Sequence, residues 1–404
     1  MAFQQGLSGL NAAARNLDVI GNNVANANTV GAKSARAEFA DIYANSLTGG
    51  GNNAVGIGVT VAAIAQQFTQ GDIATTNNPL DLAINGAGFF ELSTNGTTTF
   101  TRNGQFKLDN TGYIVNSQGA RLQGFMADDV GTITQVATDL QMKVDGIAPK
   151  MTENADIQLN LDARATVPAA AFSLTDPSTY SGVTSMTVYA PQGQEHTMAL
   201  YFRKTAANAW DVNATLDGTA FAANPVTQLV FDTAGKLTTP NAPVALSVPV
   251  DATEGGPLTV SLDVSKLTQF GSQFAVLAQD QDGYGAGDLA GFSIGADGTI
   301  LARYSNGRTM TQGQVTLVNF RNPQGLAPLG GNGWAETAAS GAPLTPQAPG
   351  TGNLGALQAG ALEQSNVDLT AELVNMITAQ RVYQANAQTI KAQDTLMQTI
   401  VNLR

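Results

Sequence analysis

The strongest constraint on this 404-residue chain lies at its two ends. Phe3, Leu7, Leu10, Ala14, Leu17, Gly21 and Val24 recur at alternating steps of four and three, the spacing of a coiled-coil stripe. A second stripe, Leu369, Leu373, Met376, Tyr383, Ala387, Ile390, Met397 and Val401, closes the chain, interrupted by Gln380 and Asp394. Each predicts a helix whose seam needs the other stripe, or a copy of it in another molecule. The last helix also carries Val374, Ile377, Leu396, Ile400 and Leu403 off the main seam, and a helix apolar on more than one side needs more than one neighbour.

Neither helix is expected to stand alone. Gly6, Gly9 and Gly21 each cost about 1 kcal/mol against alanine, and an isolated helix of this length is marginal in water. Burying a large aliphatic side chain gains roughly 1.5–3 kcal/mol, enough to order a helix only where a partner stripe is supplied. The ends are therefore expected to be disordered until packed, so that folding and association are one event.

Between the ends the pattern changes. The asparagine-rich run from Asn22 to Lys33 ends the first helix, because asparagine favours caps and turns. Residues 34–70 read as a connecting segment: an apolar patch (Phe39, Ile42, Tyr43, Leu47), a flexible centre at 49–53, then alternating Val55, Ile57, Val59 and Val61. From about 71 the period is two, with a hairpin expected at Asn103-Gly104 and turns at 109–112 and 116–119.

Nine prolines punctuate 147–284, from Pro149 to Pro257, and strands are expected at 185–189, 196–203, 229–231 and 258–262, as in a sandwich or partly closed barrel. The earlier meander returns at 292–319, with turns at 296–298 and 306–307, so the 147–284 domain reads as an insertion. Residues 340–360 read as a return connection, and Asn366 or Asp368 as the cap of the last helix. The expected fold class is α+β, mainly β: terminal helices paired in a coiled-coil-like layer around two nested β domains. The expected domains are 1–30 with 365–404 (helical), 31–70 with 340–364 (connectors), 71–146 with 285–339 (first β domain) and 147–284 (inserted). Nesting would put the inserted domain furthest from whatever the helices build.

Composition excludes several functions. Nineteen Lys and Arg against 31 Asp and Glu leave a net charge of −12, unsuited to nucleic acid or anionic lipid. Only 12% of residues are charged, which suits large, uncharged, close-packed contact surfaces. Cysteine is absent, so there are no disulfides, thiolate metal sites or cysteine nucleophiles. The start lacks a basic, apolar secretory signal, and no run of 18 apolar residues occurs, so neither Sec export nor membrane insertion is expected.

No catalytic, cofactor or metal constellation emerges. Asp280 to Asp288 starts like a calcium loop but has Tyr284 in the fifth place and Gly291 where the bidentate glutamate belongs, and reads as a structural turn. Asn85 to Phe90 reads as a turn before a strand. His196, the one histidine, reads as structural, and Trp210 and Trp334 as packing anchors. Asn23, Asn26, Gln380, Arg381 and Asn386 sit on helices with apolar seams, which favours inter-subunit hydrogen bonding or a polar channel lining over solvated surface.

Two distant motifs carry a family resemblance that covers essentially the whole chain. Leu10-Asn11 to Ile20-Gly21-Asn22-Asn23-Val24-Ala25-Asn26, with Gly31 and Lys33, is similar to the N-terminal signature of flagellar rod and hook proteins. Ser365-Asn366-Val367-Asp368-Leu369, Glu372 to Ile377 including Asn375, and Ala379-Gln380-Arg381 to Tyr383-Gln384-Ala385-Asn386 resemble their C-terminal motif. Length and the middle segments, Tyr189 to Gly193, Gly283-Tyr284 to Leu289, and Val318-Asn319-Phe320 to Leu326 with Trp334, resemble hook rather than rod proteins. Two departures stand out: Ala32 replaces a usual aromatic residue, and Ala286 a common proline.

The resemblance implies a structural, non-enzymatic subunit of the bacterial flagellar hook, with no cofactor, polymerising into a curved, flexible tube that passes torque from rod to filament. It implies export through the flagellar type III apparatus and the tube's channel. The implied partners are copies of itself, the rod, the hook cap and the hook-filament junction proteins. The alternatives are a distal-rod-type protein, which would be straight and lack the large insertion, and a secreted β-rich enzyme or adhesin, which would need convergent acid, base or metal residues.

Overall fold

A computed structural model describes residues 2–42, 56–128 and 131–402. Two helices, α1 (Ala2–Ala25) and α2 (Leu369–Asn402), bracket a chain otherwise built of strands. The chain divides into two compact units: one is Met1–Val144, Gly291–Arg303 and Thr309–Arg404, the other Asp145–Ala290 and Tyr304–Arg308.

In the first unit a large sheet runs from Thr309–Val315 through Arg121–Ala127, Phe89–Thr94 and Thr97–Thr101 to Gly333–Ala335. Successive strand residues point to opposite faces, so adjacent Phe89 and Phe90 enter different cores. Phe90 packs with Leu82, Ile84, Leu122 and Leu317, while Phe89 joins Phe100, Phe320 and Trp334. The second cluster is aromatic and edge-to-face, Phe100 and Phe320 having ring centroids 4.8 Å apart.

Three sequence expectations are corrected in this unit. The Asn103-Gly104 pair does not turn a hairpin; the hairpin sits one turn earlier, at Asn95 and Gly96, both with positive φ, between Phe89–Thr94 and Thr97–Thr101. Gly104 is instead pressed against the chain at Leu82, whose N–H donates to the Gly104 carbonyl (3.0 Å), and a Cβ there would collide with the Leu82 carbonyl. The connecting segment holds a two-stranded antiparallel ribbon, β1 (Ala35–Ile42) on β2 (Gly58–Gln66), bulged at Glu38/Phe39. Tyr43, Leu47, residues 49–53 and Val55 lie outside the described residues. The return connection is partly strand: Ala356–Ala359 pairs with Leu82–Asn85, and Ala361–Glu363 with Ile73–Thr75. These segments are too short and too rich in alanine to show a period in sequence.

The second unit has a five-stranded and a six-stranded sheet. The four expected strands appear as Gly182–Tyr189, Glu195–Ala206, Thr227–Phe231 and Leu258–Asp263. Both sheets feed one core, with Ile157 and Val260 from one and Phe202 and Trp210 from the other. The Trp210 indole N–H donates to Gln269 Oε1 at 2.9 Å, so the ring is buried at no polar cost. The would-be calcium loop is a structural turn in which Asp282 is fully committed. Its carboxylate accepts from the backbone N–H groups of Glu153 and Asn154 (both 2.9 Å) and from Lys150 Nζ (3.0 Å). The residues 85–88 make a turn before Phe89–Thr94, with Gly86 and Gly88 at positive φ.

Candidate functional site

The terminal helices lie together in the first unit, but the seam between them is not the one the stripes suggest. On α1 the buried positions are Gly6, Ala12, Ala13, Val19, Ile20 and Asn23, about a third of a turn from the apolar stripe. Phe3 and Leu7 are exposed, and Leu10, Ala14, Leu17, Gly21 and Val24 only half-buried. The reason is close approach: a Cβ at Gly6 would stand 3.0 Å from Ile390 Cγ1, and one at Gly9 2.8 Å from Asn386 Oδ1. Glycines leave room for the Ile390 and Asn386 side chains of α2 to pack onto α1, and the large side chains of the stripe are left on the outer side.

On α2, Ala379 is buried, and Met376, Asn386, Ala387 and Ile390 are half-buried. Leu369, Leu373, Tyr383 and Met397 of the stripe are exposed, as are Val374, Ile377, Val382 and Leu396. The side chains of Ile400, Val401 and Leu403 lie outside the described residues. At 100° per residue the exposed set spreads over more than one side of the helix. A groove of about 680 Å³ runs between the helices and the ribbon, lined by Ala13, Ile20, Phe39, Val59, Ala379 and Val382 among others.

The motif residues mostly fasten this helix pair to the β body. Asn23 is buried, and its amide exchanges two hydrogen bonds with the backbone of Ala35, accepting the N–H (2.9 Å) and donating to the carbonyl (2.8 Å). It also reaches Glu372 Oε1 (3.3 Å). This corrects the inter-subunit reading of Asn23: its polar atoms are spent within the chain, on a strand edge that would otherwise lack partners. Asn366 accepts from the Ser34 N–H (2.8 Å) and donates to the carbonyl of Gln67 (2.8 Å), which leaves Asp368 as the cap of α2, accepting from the N–H groups of Thr370 and Ala371. Gly31, at φ 70°, donates its N–H to the Glu363 carbonyl (2.8 Å).

At the centre is an ion cluster that sequence reasoning missed in part. Lys33 Nζ stands 2.6 Å from Glu363 Oε1, and Arg102 Nη1 3.2 Å from Glu363 Oε2, with the Lys33 and Glu363 side chains wholly buried. Lys33 also donates to the Thr69 carbonyl (2.8 Å), and the Gly71 N–H to Glu363 Oε1 (3.0 Å). Burial pulls the Lys33 ammonium below the usual lysine range, opposed by Glu363, and lowers Arg102 likewise. Lys33 follows α1, Glu363 precedes α2 and Arg102 ends a sheet strand, so one carboxylate ties both ends to the body. Glu363 and Arg102 carried one usable signal: each is a lone charge in a chain with few.

Of the remaining motif residues four face outward, while Asn26 and Asn386 are half-buried, Asn386 beside Gly9. Asn22, Asn375, Gln380 and Arg381 are exposed; Asn26 donates to the Asn22 carbonyl (2.9 Å) and Asn386 to the Val382 carbonyl (3.0 Å), each within its own helix. Among the described residues no group of three or more His, Asp and Glu side chains could hold a metal ion, and no helix is long and apolar enough to cross a membrane.

Four family descriptions match successive parts of the chain. They are the flagella basal body rod protein (3–33), the flagellar hook protein FlgE/F/G D1 domain (83–169), the flagellar basal body protein FlaE D2 domain (160–284) and the flagellar basal body rod FlgEFG protein C-terminal region (358–403). Among relatives, the flagellar hook protein FlgE of Escherichia coli K12 is 45% identical and that of Salmonella typhimurium LT2 43%, each match covering 100% of both chains. The FlgE of Treponema pallidum is 33% identical over 99% of this chain and 98% of its own. Among solved structures, the flagellar hook protein FlgE2 of Helicobacter pylori has a TM-score of 0.56 at 16% identity, covering 72% of this chain and 100% of that one, a likeness of fold. Helical ends fastened to a β body, and full-length identity well above 30%, lead to one conclusion: this chain belongs to the flagellar hook protein FlgE family.

Proposed function

We propose that the protein is the structural subunit of a bacterial flagellar hook, a non-enzymatic homopolymer located in the flagellum. The observation that carries this reading is the surface of α2. Leu369, Leu373, Val374, Ile377, Tyr383 and Met397 are exposed along a helix whose own partner covers only a narrow strip. An apolar surface of that extent on a water-soluble unit calls for neighbours. Copies of the same chain supply them: the stripe from Phe3 to Val24 and the stripe from Leu369 to Val401 pack between subunits, while the small-residue seam holds the pair within one. The ends thereby form the continuous layer of a tube. The sparsely charged β surfaces exchange water-mediated contacts as it bends. Rod, hook cap, hook-filament junction proteins and the type III export apparatus are the proposed partners.

The test is assembly of the purified full-length chain, followed by sedimentation and electron microscopy. The wild type forms tubes, and Leu373→Ser with Ile377→Ser does not, although its β units keep their circular dichroism. Tubes of wild-type yield from that variant would reject the assigned surface. Straight, rigid wild-type tubes would favour the rod-type alternative.

A further inference from the structure

His196 is the chain's one histidine, and it sits between two carboxylates. Its Nδ1 is 2.7 Å from Asp217 Oδ2 and its Nε2 3.0 Å from Glu254 Oε2, with the ring largely buried. The three residues belong to three pieces of the second unit: the start of strand Glu195–Ala206, the turn after Ala209–Leu216, and the short 3-10 helix Ala252–Glu254. Neutral imidazole has one N–H, and only imidazolium can donate from both nitrogens at once. Deprotonation would therefore leave a lone pair facing one of the carboxylates.

Among the described residues, few other contacts tie the helical turn to its surroundings. Asp217 also accepts the Thr197 N–H (2.8 Å), which belongs to the same strand as His196. Residues 251–256 are held to the rest of the unit by Glu254, by the Gln192 amide, which donates to the Thr253 carbonyl (3.1 Å), and by the packing of Gly255 against the Pro191 ring. Asp251 is occupied locally, accepting from the Thr253 N–H (3.0 Å). Opposite His196 on strand Gly182–Tyr189 stands Val188, with Tyr189 facing Glu195. The charged groups that meet the ring are Asp217 and Glu254, both acidic; neighbouring Glu195 points to the other face of the strand and Asp251 is occupied in its own turn.

We propose that His196 is a protonation-dependent latch: as imidazolium it pins residues 252–256 to the strand, and loss of its proton releases that edge, while Asp217 stays tied through its own N–H to the Thr197 carbonyl (3.0 Å). The sign of the effect follows from the acidic surroundings. The Asp217 hydrogen bond first, and then both nearby negative charges, hold the imidazolium above the usual histidine range against the opposing cost of burial. The latch is complete below the unfolded value of about 6.5 and is lost as pH rises through the higher folded value. The edge should loosen as pH rises through that folded value while the core around Trp210 stays closed.

A single histidine gives a single set of imidazole resonances, so the titration can be read directly on the full-length chain by NMR, beside hydrogen exchange resolved by peptide. His196 is expected to titrate above about 6.5. Exchange in 252–256, corrected for its intrinsic pH dependence, should rise by up to about tenfold for each pH unit of that elevation. Glu254→Gln should lower the titration midpoint, and His196→Gln should make the corrected exchange independent of pH. A wild-type midpoint at or below the ordinary value, or the same pH-dependent exchange in His196→Gln, would overturn the latch. If His196→Gln does not fold, the midpoint shift in Glu254→Gln decides: no shift rejects it.

Discussion

The second unit and the terminal helices handle the same kind of side chain in opposite ways. In the unit, Trp210, Phe202, Leu200 and Leu229 are at most 1% exposed, and the indole N–H has its partner. In the helices, Leu373, Ile377 and Leu396 are 45%, 52% and 56% exposed, while Gly6, Ala12, Ala13, Val19, Ile20 and Ala379 lie on the buried side. One region is finished by its own chain, and the other leaves large apolar side chains exposed, the surface we propose a second copy covers. The difference lies in the anchoring: a buried carboxylate and two asparagines hold the helices in place without consuming their apolar surface.

The largest test of this contrast is removal. Without residues 365–404 the chain should stay soluble, keep its β circular dichroism and fail to assemble in sedimentation; assembly without α2 would break the comparison. Limited proteolysis of the free full-length chain should cut the ends before either β unit, and equal resistance would end the coupling of order to association. Next comes Leu373→Ser with Ile377→Ser, where lost assembly should accompany a change in monomer stability within about 0.5 kcal/mol, since both sites are exposed. A larger loss in a denaturant melt would mean that the free chain already buries them.

Two substitutions of comparable size then probe the two regions separately. Glu363→Ala should cost about 3–5 kcal/mol in chemical denaturation, because it leaves Lys33 and Arg102 buried without their counter-charge. Trp210→Ala should cost about 3–5 kcal/mol through the cavity it leaves, yet spare the terminal clasp. Hydrogen exchange at 23–35 separates them: faster in the first variant, unchanged in the second. The smallest effect is acid sensitivity at Asp282. Despite the opposing cost of burial, hydrogen bonds from Asn154 and Lys150 hold its carboxyl at about 2. Its stabilising contribution is full above about 4 and is lost as pH falls toward the folded value. Asp282→Asn should flatten that part of the acid melt, measured by tryptophan fluorescence.

Much of the β architecture was legible because its signals are local. Gly182–Tyr189, Glu195–Ala206 and Leu258–Asp263 alternate cleanly, and the turns at 109–112, 116–119 and 296–298 carry residues whose side chains close them. Asn103-Gly104 misled because an Asn-Gly pair serves a tight turn and a close backbone approach equally well, and the neighbour that decided, Leu82, is remote in sequence. Asn23 looked like a free helix amide because its partner, Ala35, offers only backbone atoms, which every residue has. Lys33 stood in a recognisable motif; Glu363 and Arg102 had no pattern linking them to it.

The sequence by itself determined that the chain has helical ends with apolar stripes, a mainly β interior, no thiol chemistry and a likeness to flagellar hook proteins. All but the likeness follow from composition and short-range periodicity, which are properties of neighbours along the chain; the likeness rests on the motifs at the two ends and the middle segments. The tertiary structure alone decided which face of each helix is used within the molecule, where the hairpin falls and which carboxylate holds the ends. Such choices depend on approach distances and on charges brought together from positions 33, 102 and 363, and no local pattern records them.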